Sequence, residues 1–120
     1  FLVKNHIENN FKSKVILCKT IRDKNKLALS SRNLLLNKKD LIKAGKISRE
    51  LILFKKKLSK KNITKKIILI KKNKLEKLYN INIQYLEVRN KKNLQLSNKI
   101  KDSKIFFAYF LKNIRLIDNF

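Results

Sequence analysis

Four consecutive residues, Ser30-Ser31-Arg32-Asn33, carry the side chains best suited to chemistry in this sequence. Two serines supply hydroxyl donors of little bulk, so backbone N–H groups beside them can also approach a ligand. Arg32 supplies a planar guanidinium that spans two oxygens of a carboxylate or phosphate. The helix expected to begin near Asn37 would add a favourable dipole if its N-terminus came close enough. Together these groups suit a phosphate. Taken alone, the same tetrapeptide is more often a turn or a helix cap. The other reactive side chains are isolated. His6 is the only histidine and has no second ligand in view, which speaks against a metal role. Cys18 is expected to be a buried, inert strand residue. As the only cysteine it excludes an internal disulfide framework and fits a reducing cytoplasm.

The elements that must position these residues are legible from periodicity. Residues 1–12 read as the end of an amphipathic helix, with Leu2, Val3, Ile7 and Phe11 at helical spacing. The β-branched run at 14–21 suits a buried parallel strand, and a helix followed by such a strand is the tail of an α/β unit. A polar loop at 22–26 leads into the serine–arginine segment. Asn37 then reads as an N-cap with Asp40 three positions on. Leu41, Ala44, Ile47, Leu51, Phe54 and Leu58 line one face of the helix that follows. A second helix is expected over roughly 63–79, with Ile63, Ile67, Ile70 and Leu78 inward and Lys71–Lys74 able to interrupt it. Strands follow at 81–89, at Ile105–Leu111 and at Arg115–Asp118. From residue 37 onward the class is α+β.

The formal charge of +24, from 32 Lys and Arg against 8 Asp and Glu, would ordinarily suggest a polyanion partner. However, Lys, Asn, Ile, Phe and Tyr are abundant, Gly is nearly absent and Pro is absent, which is the signature of AT-rich codons. The lysines also spread over almost every segment instead of gathering on one motif. Composition is therefore weak evidence of function, and the lysine runs at 55–57, 60–61 and 65–66 read as solvated faces. No apolar run approaches the length of a membrane span, and 43% hydrophobic residues suffice for a modest core. The absence of Met and the apolar opening Phe1-Leu2-Val3 suggest a piece of a longer protein.

Three ordered segments resemble the pantothenate synthetase family. Thr20-Ile21-Arg22-Asp23 followed by Leu27-Ala28-Leu29-Ser30-Ser31-Arg32-Asn33 is similar to the family's Thr-Val-Arg-Glu and Leu-Ala-Met/Leu-Ser-Ser-Arg-Asn. Tyr85-Leu86-Glu87 is similar to its Tyr-Leu-Glu strand. Arg115-Leu116-Ile117-Asp118-Asn119 matches its closing residues. The resemblance spans nearly the whole chain. It implies ATP-dependent ligation of pantoate and β-alanine through a pantoyl adenylate, with Mg2+ accompanying ATP. It further implies a cytoplasmic homodimer joined through an N-terminal domain that is missing here, with no specific nucleic acid and no membrane. On this mapping residues 1–22 end a Rossmann-like catalytic domain, and 23–120 form a lid domain carrying the phosphate loop.

Ser30, Ser31 and Arg32 would grip the phosphates, as the Lys-Met-Ser-Lys-Ser loop does in related nucleotidyl transferases. Ile21 and Leu29 would lie near the adenine, although their plain reading is as core residues. Arg22 either braces the loop through Asp23 or Asp118 or touches ligand, and Glu87 and Asp118 read as structural partners. Three departures stand out: Lys26 where the family has Gly, Lys112-Asn113 where small residues are usual, and Asp23 for Glu. If residue 26 adopts a positive φ, a lysine there costs about 1 kcal/mol. The family's His-x-Gly-His and Gly-x-Lys-Asp segments and its pantoate-holding glutamines do not occur, so the chain alone is expected to be inactive. A basic nucleic-acid-binding module and an inactive remnant are the alternatives.

Overall fold

The computed structural model describes residues 2–16, 18–59 and 62–120. Helix α1 (Leu2–Asn10) is followed by extended chain, a 3-10 helix at Ser31–Leu35, α2 (Lys38–Leu58) and α3 (Lys65–Tyr79). Three strands complete the chain: β1 (Asn82–Asn90), β2 (Ser103–Leu111) and β3 (Ile114–Asn119). They form one antiparallel sheet in the order β1-β2-β3. The class is α+β, as the pattern predicts.

Local chemistry explains the helix boundaries. Asn37 caps α2, its side chain accepting the Asp40 N–H at 2.9 Å. Thr64 caps α3 in the same way, accepting from Ile67 N. Asn80 ends α3 at φ 47°, a left-handed conformation that Asn tolerates better than most residues. Lys71–Lys74 do not interrupt α3.

The core lies between α2, α3 and one face of the sheet. Ala44, Ile47, Leu51 and Leu58 of α2 meet Ile83, Leu86, Val88, Ile105, Phe107, Tyr109 and Leu111 there, with Leu41 and Phe54 packed at its margin. In α3 the inward residue is Leu75, fully buried, whereas Ile70 and Leu78 are each 58% exposed, contrary to the sequence expectation. Ile63 is buried but precedes the helix. The inward stripe runs through Ile67 and Ile68, Lys71 and Lys72, then Leu75 and Tyr79. Lysine stems occupy the inner face as apolar chains with their heads at the edge. A count of hydrophobic letters therefore misplaces the phase of this helix.

The N-terminal segment departs most from expectation. Residues 14–16 and 18–21 form no strand; the first bridge is Arg22 to Ala28. Ile16 and Cys18 are exposed, so Cys18 is not the buried residue its apolar neighbours suggested. A parallel strand gains hydrogen bonds and burial from neighbours on both sides, and the three-stranded sheet offers none to this segment. Val3 and Phe11 of the α1 region are likewise exposed. The side chain of Leu2, and Phe1, Leu17, Lys60 and Lys61 altogether, lie outside the described residues. Lys56, Lys57, Lys65 and Lys66 are solvated, but Lys55 is half-buried.

Candidate functional site

The serine–arginine loop is the far end of a tight hairpin. Asp23 organises its tip: Oδ1 accepts the N–H groups of Asn25 at 2.8 Å and Leu27 at 2.9 Å, and its carbonyl accepts from Lys26 N. Leu29 N donates to Ile21 O at 3.0 Å and closes the two arms. Lys26 sits in the tip at φ 69°, the conformation that favours glycine. Beyond the hairpin, Ser30 caps the 3-10 helix, its Oγ accepting from Arg32 N at 3.3 Å. Asn33 donates through Nδ2 to Ala28 O at 2.9 Å, tying the loop back to its own stem.

Two anchors hold this hairpin to the rest of the domain. The first is Arg22. Its Nη1 donates to Asp118 Oδ2 at 2.7 Å and to Lys26 O at 2.9 Å, and its Nη2 to Asp118 Oδ1 at 2.9 Å and Asn119 O at 3.0 Å. The guanidinium also lies 4.7 Å from the centre of the Phe120 ring. Only Nε–H is left uncommitted, so of the two readings open for Arg22 the brace is the one realised, with Asp118 as the partner. Glu87 likewise serves as a structural partner, accepting from Arg89 Nε.

The second anchor is the contact between Asn25 and α2. A Cβ on Gly45 would stand 2.6 Å from Asn25 Cβ and 3.1 Å from its carbonyl oxygen. Arg49, one turn on, donates from Nη2 to Asn25 Oδ1 at 2.7 Å. Sequence reasoning missed Asn25, Gly45 and Arg49. The available signal was the chain's single glycine placed in the middle of a long helix, a position that carries a cost of up to about 1 kcal/mol and so calls for a reason.

Ser30, Ser31 and Arg32 are brought together on the outward side of the braced loop, all three exposed. Among the described residues the Arg32 side chain makes no hydrogen bond or ion pair. Ile21 and Leu29, paired across the hairpin, are 71% and 61% exposed, so neither is a core residue. Beneath the loop is a crevice of about 20 Å³, lined among others by Ser30, Arg32, Asn33, Ser48, Tyr109 and Asp118. Tyr109 stacks on Phe107, and its buried hydroxyl has no hydrogen-bond partner among the described residues. Burial first, and then the charge of Asp118, push its ionisation well above the ordinary tyrosine value.

The donor set of the loop is two hydroxyls and one guanidinium. Asp118, the carboxylate that lines the crevice beneath the loop, is committed to Arg22. A fixed positive charge beside hydroxyl donors, with no free carboxylate, suits an anion better than a metal cation, which the guanidinium would repel. No cluster of three or more His, Cys, Asp or Glu side chains occurs among the described residues, and no helix there is long and apolar enough to cross a membrane.

A family model described as pantoate-beta-alanine ligase matches residues 2–120. A pantothenate synthetase of Flavobacterium psychrophilum is 32% identical over 115 residues, covering 93% of this chain and 40% of the relative. Among solved structures, pantothenate synthetase from Thermus thermophilus superposes with a TM-score of 0.82 at 24% identity, over 98% of this chain and 44% of that one. The pantoate-beta-alanine ligase of Francisella tularensis, solved in complex with beta-gamma ATP and beta-alanine, gives a TM-score of 0.66 at 29% identity, over 99% and 38%. The chain therefore spans less than half the length of these relatives.

Proposed function

This chain belongs to the pantoate-beta-alanine ligase family, and on that premise we propose that it is the C-terminal portion of an enzyme that uses ATP to join pantoate to β-alanine through a pantoyl adenylate. Residues 1–22 close the Rossmann-like catalytic domain and 23–120 form the lid that carries the phosphate loop. The observation that carries this reading is the contrast between two arginines. Arg22 spends four N–H groups inside the domain, while the exposed guanidinium of Arg32, on the loop that Arg22 braces, has no partner among the described residues.

The chemistry follows from that placement. Attack of the pantoate carboxylate on the α-phosphorus of ATP builds negative charge on the nonbridging oxygens and on the departing pyrophosphate. Arg32 bridges two of those oxygens, and the hydroxyls of Ser30 and Ser31 donate beside it, so fixed donors stand where the charge develops. The exposed apolar pair Ile21 and Leu29 provides a flat surface for the adenine. Mg2+, which the family resemblance implies, would come with the nucleotide and offset its phosphate charge, because the loop has no free carboxylate to hold the ion itself. β-Alanine then displaces AMP. The complete enzyme is a cytoplasmic homodimer joined through its N-terminal domain, and the 120-residue chain is inactive by itself. The charge of +24 reflects composition and not a nucleic-acid partner.

The decisive experiment is pantoate-dependent ATP–pyrophosphate exchange by the intact enzyme. Arg32→Ala lowers the exchange rate by roughly 100-fold or more, the usual effect of removing a fixed donor from a developing oxyanion. An unchanged rate would overturn the reading.

A further inference from the structure

The Arg22–Asp118 pair borders two hollows. Asp118 lines the crevice under the Ser30–Asn33 loop, whereas Arg22 lines a larger cleft of about 540 Å³ that shares no lining residue with it. Lys19, Lys55 and Lys104 enter this cleft from three different parts of the chain: the segment before the hairpin, α2 and β2. Thr20, Asn119, Ile52, Phe120 and Cys18 complete the wall, and no Asp or Glu side chain is among them.

We propose that this cleft binds a small anion bearing two or more phosphate groups, held by Lys19, Lys55 and Lys104. A chain this basic has lysines everywhere, so their number proves nothing; what sets these apart is convergence without a counter-charge. The other hollows of this fold that are lined by three lysines each include a glutamate: Glu87 beside Lys65, Lys66 and Lys72, and Glu50 beside Lys57, Lys71 and Lys74. Lys55 is half-buried with no carboxylate partner among the described residues, and burial, followed by the charges of Lys91 and Lys104, holds its ammonium below the usual lysine range. Like charges brought together out of water repel at short range, and a multivalent anion between them converts that repulsion into attraction.

The neutral groups fit the same ligand. Lys104 Nζ donates to Asn119 Oδ1 at 2.9 Å, which orients that amide and leaves its Nδ2 as a donor. Thr20 adds a hydroxyl. Arg22 adds little, because four of its five donors are spent inside the domain and its charge is balanced by Asp118. The volume lies within the roughly 300–1,000 Å³ range of small-ligand pockets and exceeds what a lone phosphate ion needs.

The test is calorimetric titration of the chain with inorganic pyrophosphate at fixed ionic strength, in an Arg32→Ala background that removes the grip of the serine–arginine loop. Lys55→Gln with Lys104→Gln weakens binding by about tenfold or more, a loss of about 1.4 kcal/mol. Lys65→Gln with Lys66→Gln removes the same charge from the exposed start of α3 and changes affinity by less than about twofold. Lys55→Arg with Lys104→Arg retains binding, which separates loss of charge from loss of fold. Equal losses in the two glutamine pairs, or no binding by the Arg32→Ala chain, would overturn the proposal. Either result would leave the role of Arg32 in ATP–pyrophosphate exchange untouched.

Discussion

Arg22 and Arg32 lie ten positions apart on one hairpin and its exit, and they have opposite fates. Arg22 points into the domain, where its side chain is 18% exposed and that of Asp118 only 7%. Arg32 stands on the surface without a partner among the described residues. Residue type alone does not separate them; the position of a carboxylate 96 residues away does. The stem of the hairpin is built to be held, and its exit is built to hold something else. A rigid stem lowers the cost of ordering the loop when a ligand arrives, which is the value of preorganisation.

The comparison breaks first at the stem. Arg22→Ala leaves Asp118 buried without its cation and removes two carbonyl contacts, so it costs about 3 kcal/mol in urea unfolding. Arg32→Ala, by contrast, stays within about 0.5 kcal/mol of the parent. Similar losses for both would erase the distinction between brace and grip.

Tyr109, which lines the crevice below the loop, extends the test to pH. Its ionisation in the folded chain lies well above the ordinary value of 10.0, so the unfolded chain releases that proton first. The resulting stabilisation is complete below pH 10 and is lost progressively above it. An alkaline fall in unfolding midpoint that disappears in Tyr109→Phe would identify the group; a fall of equal size in the variant would place it elsewhere.

Gly45→Ala attacks the second anchor. The gain in helix propensity, about 1 kcal/mol, is outweighed by displacing Asn25, whose Cβ is the nearest atom and cannot swing away as a side-chain tip can. Net destabilisation of about 1 kcal/mol, with weaker phosphate binding by the loop, is expected from unfolding and titration of the variant. Smallest is a paired gain. Lys26→Gly relieves a positive φ without removing a recorded side-chain contact and stabilises by about 1 kcal/mol. Lys112→Gly relieves the φ of 54° in the β2–β3 turn but strips buried Asp40 of its ion pair, so no gain follows. Equal gains in melting temperature for the two would show that the Lys112–Asp40 pair contributes nothing.

Part of the loop was legible in the sequence. Ser30, Ser31 and Arg32, singled out by their chemistry and by the family resemblance, are exposed on one loop, and Asn37 caps α2 as its spacing to Asp40 predicts. The hidden part was the support. Asn25 meets Gly45 and Arg49 across 20 or more positions, and no periodicity encodes that contact. The family resemblance puts Ile21 and Leu29 beside the adenine, while their apolar character by itself predicts core positions. The hairpin instead turns them outward together, and Leu27 between them takes the buried place.

What the sequence determined by itself was short in range. The capping of α2 by Asn37, the alternation that makes β1–β3 a sheet and the donor chemistry of the loop each depend on residues within a few positions, where covalent geometry limits the choices. Tertiary structure alone decided three other outcomes: which arginine braces the fold, that Leu75 and not Ile70 or Leu78 faces the core, and that 14–16 and 18–21 form no strand. Hydrophobicity states only that a residue gains by burial. Where it is buried, and against what, depends on surfaces supplied by distant parts of the chain.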